Sequence, residues 1–185
     1  MNKFTLGMVG LMTLGSFGCG HLPNHYQVYI NPTTLSPHRV QLVLDGLNEW
    51  EAKGANSGIS FDVFFENRSC DDGTCVNAIS INGETRAQIE KDTNSSDIGY
   101  TNYYWYPSGN SWGSVWLPTD VETDDQFTTT VEHEVGHAMG LVHTYVEHAA
   151  VMYPDLGPAA PHVMCADVLQ YAQVHHQSPG FCEDN

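Results

Sequence analysis

The sequence predicts an α+β fold. Short β-type runs occur early and in the middle of the chain, an amphipathic stretch at helical spacing follows the first of them, and a second helix-forming stretch later in the chain carries His133 and His137. Tyr26 to Ile30 (YQVYI) has the aromatic and β-branched content of a strand. Ser36 then reads as an N-cap with Pro37 at the first helical position. Val40, Val43, Leu44, Leu47 and Trp50 recur at helical spacing through Lys53, and Gly54 and Gly58 end the pattern. Ile59 to Phe65 and Val76 to Ile81 read as strands on either side of a turn-forming loop, Cys70-Asp71-Asp72-Gly73-Thr74-Cys75. Two further strands, Ile98 to Tyr106 and Gly113 to Leu117, are joined by Pro107-Ser108-Gly109-Asn110. A polar stretch, Thr119 to Gln126, leads into a helix starting near Phe127 to Thr130. Residues 144–163 are irregular and hold Pro154, Pro158 and Pro161, and Ala166 to His175 closes the chain as a last helix.

Length and charge bound the function. At 185 residues the chain fits one domain. Against 22 Asp and Glu stand only 6 Lys and Arg, a formal net charge of -16. Such a surface repels phosphates and anionic lipid, which excludes nucleic acid as a partner and favours cations and peptides. A monomer is the expected state. Residues 1–20 read as a secretory signal: Lys3 precedes an uncharged apolar run from Phe4 to Phe17, too short and glycine-rich for a membrane span. Two cleavage readings stand open. Ser16-Phe17-Gly18-Cys19 resembles a bacterial lipobox, which would lipidate Cys19 and tether the chain to the outer membrane. Gly18 and Gly20 instead supply a small-x-small site for ordinary cleavage before His21, giving a periplasmic or secreted protein. The domain proper is then 21–185. The other four cysteines form an even set suited to an oxidising compartment, and the loop-local pairings Cys70–Cys75 and Cys165–Cys182 are expected.

The chemistry is concentrated in His133-Glu134-Val135-Gly136-His137-Ala138-Met139-Gly140-Leu141-Val142-His143, a complete HExxHxxGxxH string. On a helix, positions i and i+4 share a face, so His133 and His137 can aim two imidazoles at one Zn2+ ion. Gly140 can take the positive-φ turn that stops the helix and brings His143 round as a third nitrogen ligand. Three protein ligands leave a position open for water, which marks a catalytic rather than a structural zinc site. Glu134, next to the first ligand, has the place and chemistry of a general base.

These residues, with Val151-Met152-Tyr153-Pro154 behind them, resemble a metzincin metalloprotease, and more narrowly a matrixin-like catalytic domain. The resemblance implies a twisted, mostly parallel five-stranded sheet with three helices. It implies a Met-turn in which Met152 lies beneath the zinc, and an endopeptidase whose extended substrate pairs antiparallel with the edge strand at 98–106. By position it places a specificity pocket at Pro154, Asp155 and Leu156. The chain departs from the family in two respects. No cysteine-switch segment is expected before the first strand, and the stretch from Gly113 to Asp125 lacks the histidines of a second, structural zinc site. Asp120, Glu122, Asp124 and Asp125 there offer Ca2+ the oxygen donors it prefers, but they lack EF-hand-like spacing, and a solvated acidic loop is the favoured account of them. His148 and His162 are expected at the surface, and His175 at a helix C-terminus that would favour its charged form. The alternative function is a secreted zinc-containing protein that binds peptide without cutting it. Glu134 argues against that reading, because a binder needs no base there.

Overall fold

The structure, a computed structural model, describes residues 24–69, 75–94, 99–105, 111–120, 123–145, 147–154, 161–177 and 182. The proposed signal, Cys19, Cys70, Glu122, Asp155 and Leu156 lie outside them. Among the described residues the chain runs β1 (His25–Ile30), α1 (Pro37–Gly54), β2 (Ser60–Phe64), β3 (Ala78–Glu84), α2 (Arg86–Thr93), β4 (Tyr100–Trp105), β5 (Ser111–Pro118), α3 (Asp124–Ala138) and α4 (Cys165–Val174). The five strands form one sheet in the order β2-β1-β3-β5-β4. All neighbours are parallel except β4, which lies antiparallel on β5 at one edge. Parallel pairing of β1 with β2 requires a crossover, and α1 supplies it.

Helix α1 begins where Ser36 Oγ accepts the Arg39 N–H at 3.3 Å, with Pro37 in the first turn. Its Val43, Leu47 and Trp50 are buried against α3, which also lies on β4 and β5. Between these helices and the sheet sits the core, in which Tyr26, Ile30, Trp50, Ile79, Ile81, Leu117, Phe127, Met139, Met152 and Tyr171 are less than 2% exposed. Each such side chain contributes about 1.5–3 kcal/mol of burial. Trp50 is also anchored at its polar end, its Nε1–H donating to Glu132 O at 2.9 Å.

Two expectations need correction. The fold has four α-helices among its described residues, not three: α2 was missed because it lies on the surface and buries only Ile89, leaving almost no apolar periodicity to read. Helix α3 starts a turn earlier than expected, where Thr123 Oγ1 accepts the Gln126 N–H at 3.2 Å. The acidic first-turn residues Asp124 and Asp125 therefore belong to that helix, at the end whose dipole favours them.

Candidate metal centre

The last two turns of α3 and the loop after it build the site. Helix α3 is stopped by Gly140, whose φ of +92° is the left-handed conformation glycine adopts without strain. Gly140 N–H donates to His137 O at 2.9 Å and Leu141 N–H to Gly136 O at 3.0 Å, the paired bonds of a Schellman turn. That turn swings the chain back, so His143 reaches the two helical histidines. The three Nε2 atoms converge: His133 and His137 are 3.1 Å apart, and each is 3.2 Å from His143.

These distances have a chemical meaning. His133 Nδ1 donates to Val151 O at 2.7 Å and His137 Nδ1 donates to Leu141 O at 2.8 Å. With those ring protons used, both Nε2 atoms present lone pairs to one point, where they repel unless a cation sits between them. Protons do not serve at neutral pH. Burial, then the neighbouring imidazole of His137, pushes the His133 pKa down to about 3, and burial first lowers His137 to about 4. Neutral imidazoles converging at this spacing are what a metal requires: bonds of about 2.0 Å in a tetrahedral site separate neighbouring ligand atoms by roughly 3.3 Å. His133, His137 and His143 thus form a group that can hold a metal ion.

A second layer fixes the imidazoles. Val151 O, the acceptor for His133, belongs to the turn that ends in the fully buried Met152. Asp167, at the start of α4 and 0% exposed, clamps that turn. Its Oδ2 accepts the N–H groups of Val151 at 3.1 Å and Met164 at 2.8 Å, and its Oδ1 accepts that of Met152 at 3.1 Å. Thr144 N–H donates to Met152 O at 2.9 Å, tying the segment that carries His143 to the same turn. Met152 packs so tightly on α3 that a Cβ at Gly136 would collide with its sulfur, so a side chain there would force the buried Met152 to shift.

Glu134 is 6% exposed and faces β4. Thr101 Oγ1 lies 2.7 Å from Glu134 Oε2 and 3.0 Å from its carbonyl oxygen. One hydroxyl proton serves one acceptor at a time, and the shorter contact to the carboxylate is the stronger. Sequence reasoning missed both Asp167 and Thr101. An aspartate three residues into a helix, placed to bond back to the residue before it, is half of a capping box, and that was the available signal for Asp167. Nothing local marks Thr101.

The remaining expected residues are distributed as follows. Pro154 is exposed just beyond Met152. Tyr153 packs against His148 with ring centroids 4.1 Å apart and the rings tilted by 35°, so both belong to a surface cluster beside the turn. Cys165 and Cys182 are joined by a disulfide with Cα atoms 5.6 Å apart. Cys75 is buried and disulfide-bonded, while Cys70 falls outside the described residues. The aromatic residues of β4 serve the sheet: Tyr100 stacks on Trp116 at 4.6 Å and Tyr104 on Trp112 at 4.9 Å, each pair directly opposite in register. Of the carboxylates considered for Ca2+, Asp120 accepts the Arg86 N–H and Asp124 pairs with His38 and Arg39. Among the described residues none of them joins a group placed to share a metal. His175 also departs from expectation. It is 2% exposed, its Nε2–H donates to Met139 O at 2.8 Å, and burial lowers its pKa, so it packs as a neutral ring rather than as a dipole counter-charge. Among the described residues no helix is long and apolar enough to cross a membrane. The chain matches no protein-family model and no curated protein, so its functional assignment rests on its own residues.

Proposed function

We propose that the chain is a zinc-dependent endopeptidase of the metzincin, matrixin-like type. The observation that carries this reading is the convergence of the His133, His137 and His143 Nε2 atoms at 3.1–3.2 Å, with a buried carboxylate, Glu134, on the next residue. His133, His137 and His143 would hold the ion; when bound, zinc lowers the pKa of water and polarises the scissile carbonyl. Glu134 takes the proton of the attacking water and passes it to the leaving amine. Thr101 holds one carboxylate oxygen, so that Glu134 does not have to be oriented during the reaction. The edge strand β4 is the natural dock for an extended protein or peptide substrate, added antiparallel through main-chain hydrogen bonds. Pro154, Asp155 and Leu156 are assigned to the specificity pocket. The chain is assigned to an exported location, as an outer-membrane lipoprotein tethered through Cys19 or a periplasmic or secreted monomer. The Cys165–Cys182 disulfide fits an oxidising compartment.

The test is digestion of a peptide library by the mature protein, with and without chelator, alongside Glu134→Ala. The expected result is chelator-sensitive cleavage that falls at least about 100-fold in the variant, while bound zinc is retained. Cleavage by Glu134→Ala at the parent rate would remove Glu134 from the mechanism. Zinc-dependent binding of peptides without any cutting would replace the protease with a binding protein.

A further inference from the structure

A second group of ligand-type side chains lies apart from the histidine centre. Glu49, Glu132 and His162 each present one donor atom, and these atoms lie within 4.8 Å of one another. They come from three elements: α1, α3, and the strand-like segment that bridges Ala150 to His162. Successive helix residues are about 100° apart, so Glu132 leaves α3 in a different direction from His133. It meets α1 where Gly46 makes room: a Cβ at Gly46 would lie only 3.3 Å from Glu132 Cγ. Glu49, three residues on from Gly46, shares that face of α1. His162 is held over the pair by its backbone. Thr129 Oγ1 donates to Pro161 O at 3.3 Å, His162 N–H donates to Ala149 O at 3.3 Å, and Val163 is fully buried.

Glu132 is the residue that makes this arrangement more than a patch of acids. It is 0% exposed, and neither carboxylate oxygen makes a hydrogen bond of full geometry among the described residues; the Val163 backbone N–H and the Glu49 carboxyl are its polar neighbours there. A carboxylate withdrawn from water without partners is among the most costly groups a fold can carry, and buried charges are accordingly paired or bound to metal. Its near neighbour Glu49 makes the cost worse if both are ionised. His162 Nδ1 stands 3.8 Å from Glu49 Oε1, so an imidazole nitrogen and two carboxyl groups look into one small space from the surface side.

We propose that Glu49, Glu132 and His162 form a second metal site, which takes a divalent transition-metal ion of the zinc class. Two oxygens and one imidazole nitrogen suit such an ion, whereas calcium and magnesium prefer all-oxygen shells. The site pins α1, α3 and the 161–163 segment together. A single proton shared between the two carboxyl groups is the competing account. It relieves the acid pair but leaves His162 only its 3.8 Å contact with Glu49.

The experiment is metal counting on the full folded chain. Protein is stripped with chelator, reloaded with Zn2+, freed of loose metal by gel filtration and analysed by atomic absorption, with far-UV circular dichroism to verify folding. The parent is expected to carry two ions. His143→Ala, which disables the histidine centre, should keep one, and the exposed-side pair Glu49→Gln/His162→Ala should also keep one. The combined triple variant should keep none. In addition, Zn2+ should raise the melting temperature of His143→Ala but not that of the triple variant. A parent with one ion, unchanged by Glu49→Gln/His162→Ala and lost in His143→Ala, overturns the second site while leaving the histidine centre standing. The converse pattern, with the single ion lost only in the Glu49/His162 pair, would overturn the protease reading and keep this one.

Discussion

Asp167 lies outside the histidine string, yet the geometry makes it the anchor of the metal centre. Its two oxygens accept three backbone N–H groups, the buried ones of Val151 and Met152 and the part-buried one of Met164. In Asp167→Asn the amide oxygen can replace Oδ2 and keep two of these bonds, but the amide nitrogen then faces the Met152 N–H. One buried donor left unsatisfied costs about 1–3 kcal/mol. The two surviving bonds lose their charge assistance, worth about 1 kcal/mol each. The sum is roughly 4 kcal/mol, a large share of the ~5–15 kcal/mol by which domains are stable. For a chain of this size that corresponds to a fall in melting temperature of roughly 12 °C. The same change should loosen Val151 O, which orients the His133 ring, and weaken zinc binding by about 10–100-fold. Thermal denaturation of metal-free protein measures the first effect, and competition with a chromophoric chelator measures the second. A melting temperature within about 3 °C of the parent would refute the clamp. Full loss of stability with undiminished zinc affinity would show that the turn and the imidazole are not coupled.

Thr101→Val, which removes the hydroxyl 2.7 Å from Glu134 Oε2, should lower kcat by about 10-fold with little change in KM, and Thr101→Ser should restore it; an equal loss in the serine variant would deny the hydroxyl its positioning role. Stability of the metal-free protein should fall with acid. His133 and His137 have folded pKa values below the ordinary 6.5, so the unfolded chain binds their protons first, and stability present above pH 6.5 is lost as pH drops toward about 4. Between pH 7 and 5 the two imidazoles account for a loss of roughly 4 kcal/mol. Glu132 works in the opposite sense. Burial, then Glu49, raises it to about 9, so its contribution is present below its ordinary pKa of 4.5 and is lost as pH rises, which offsets roughly 2–3 kcal/mol over the same interval. Urea unfolding of chelated protein should therefore show a net loss near ~1 kcal/mol in the parent and near ~4 kcal/mol in Glu132→Gln, whereas equal losses would contradict the assignment. Replacing Cys165 and Cys182 by serine opens a loop with a sequence separation of 17 and should cost about 3 kcal/mol in the same assay.

The parts of this protein that were legible in its sequence are those in which the physics is local. Pro37 behind Ser36, the aromatic and β-branched content of Tyr26 to Ile30 and the Gly140 stop each depend on neighbours a few residues away, and each element lies where those neighbours place it. The histidine string is legible for the same reason, since one helix face and one turn bring its nitrogens together. What supports the string is not local. Thr101 meets Glu134 across 33 residues, Val151 meets His133 across 18, and Glu49 meets Glu132 only because Gly46 lets two helices approach. Helix α2 was missed for a different reason: a helix that buries one side chain has almost no apolar pattern to read. The difference bears on how the site works. A string of three histidines and a glutamate can be written into any amphipathic helix. What separates this chain from such a helix is that the His133 imidazole N–H is met by a carbonyl of a turn held elsewhere, and that the carboxylate beside it is held by a strand. The Asp167 and Thr101 variants leave the string intact, and so they test whether its chemistry belongs to the motif alone or to the fold that orients it.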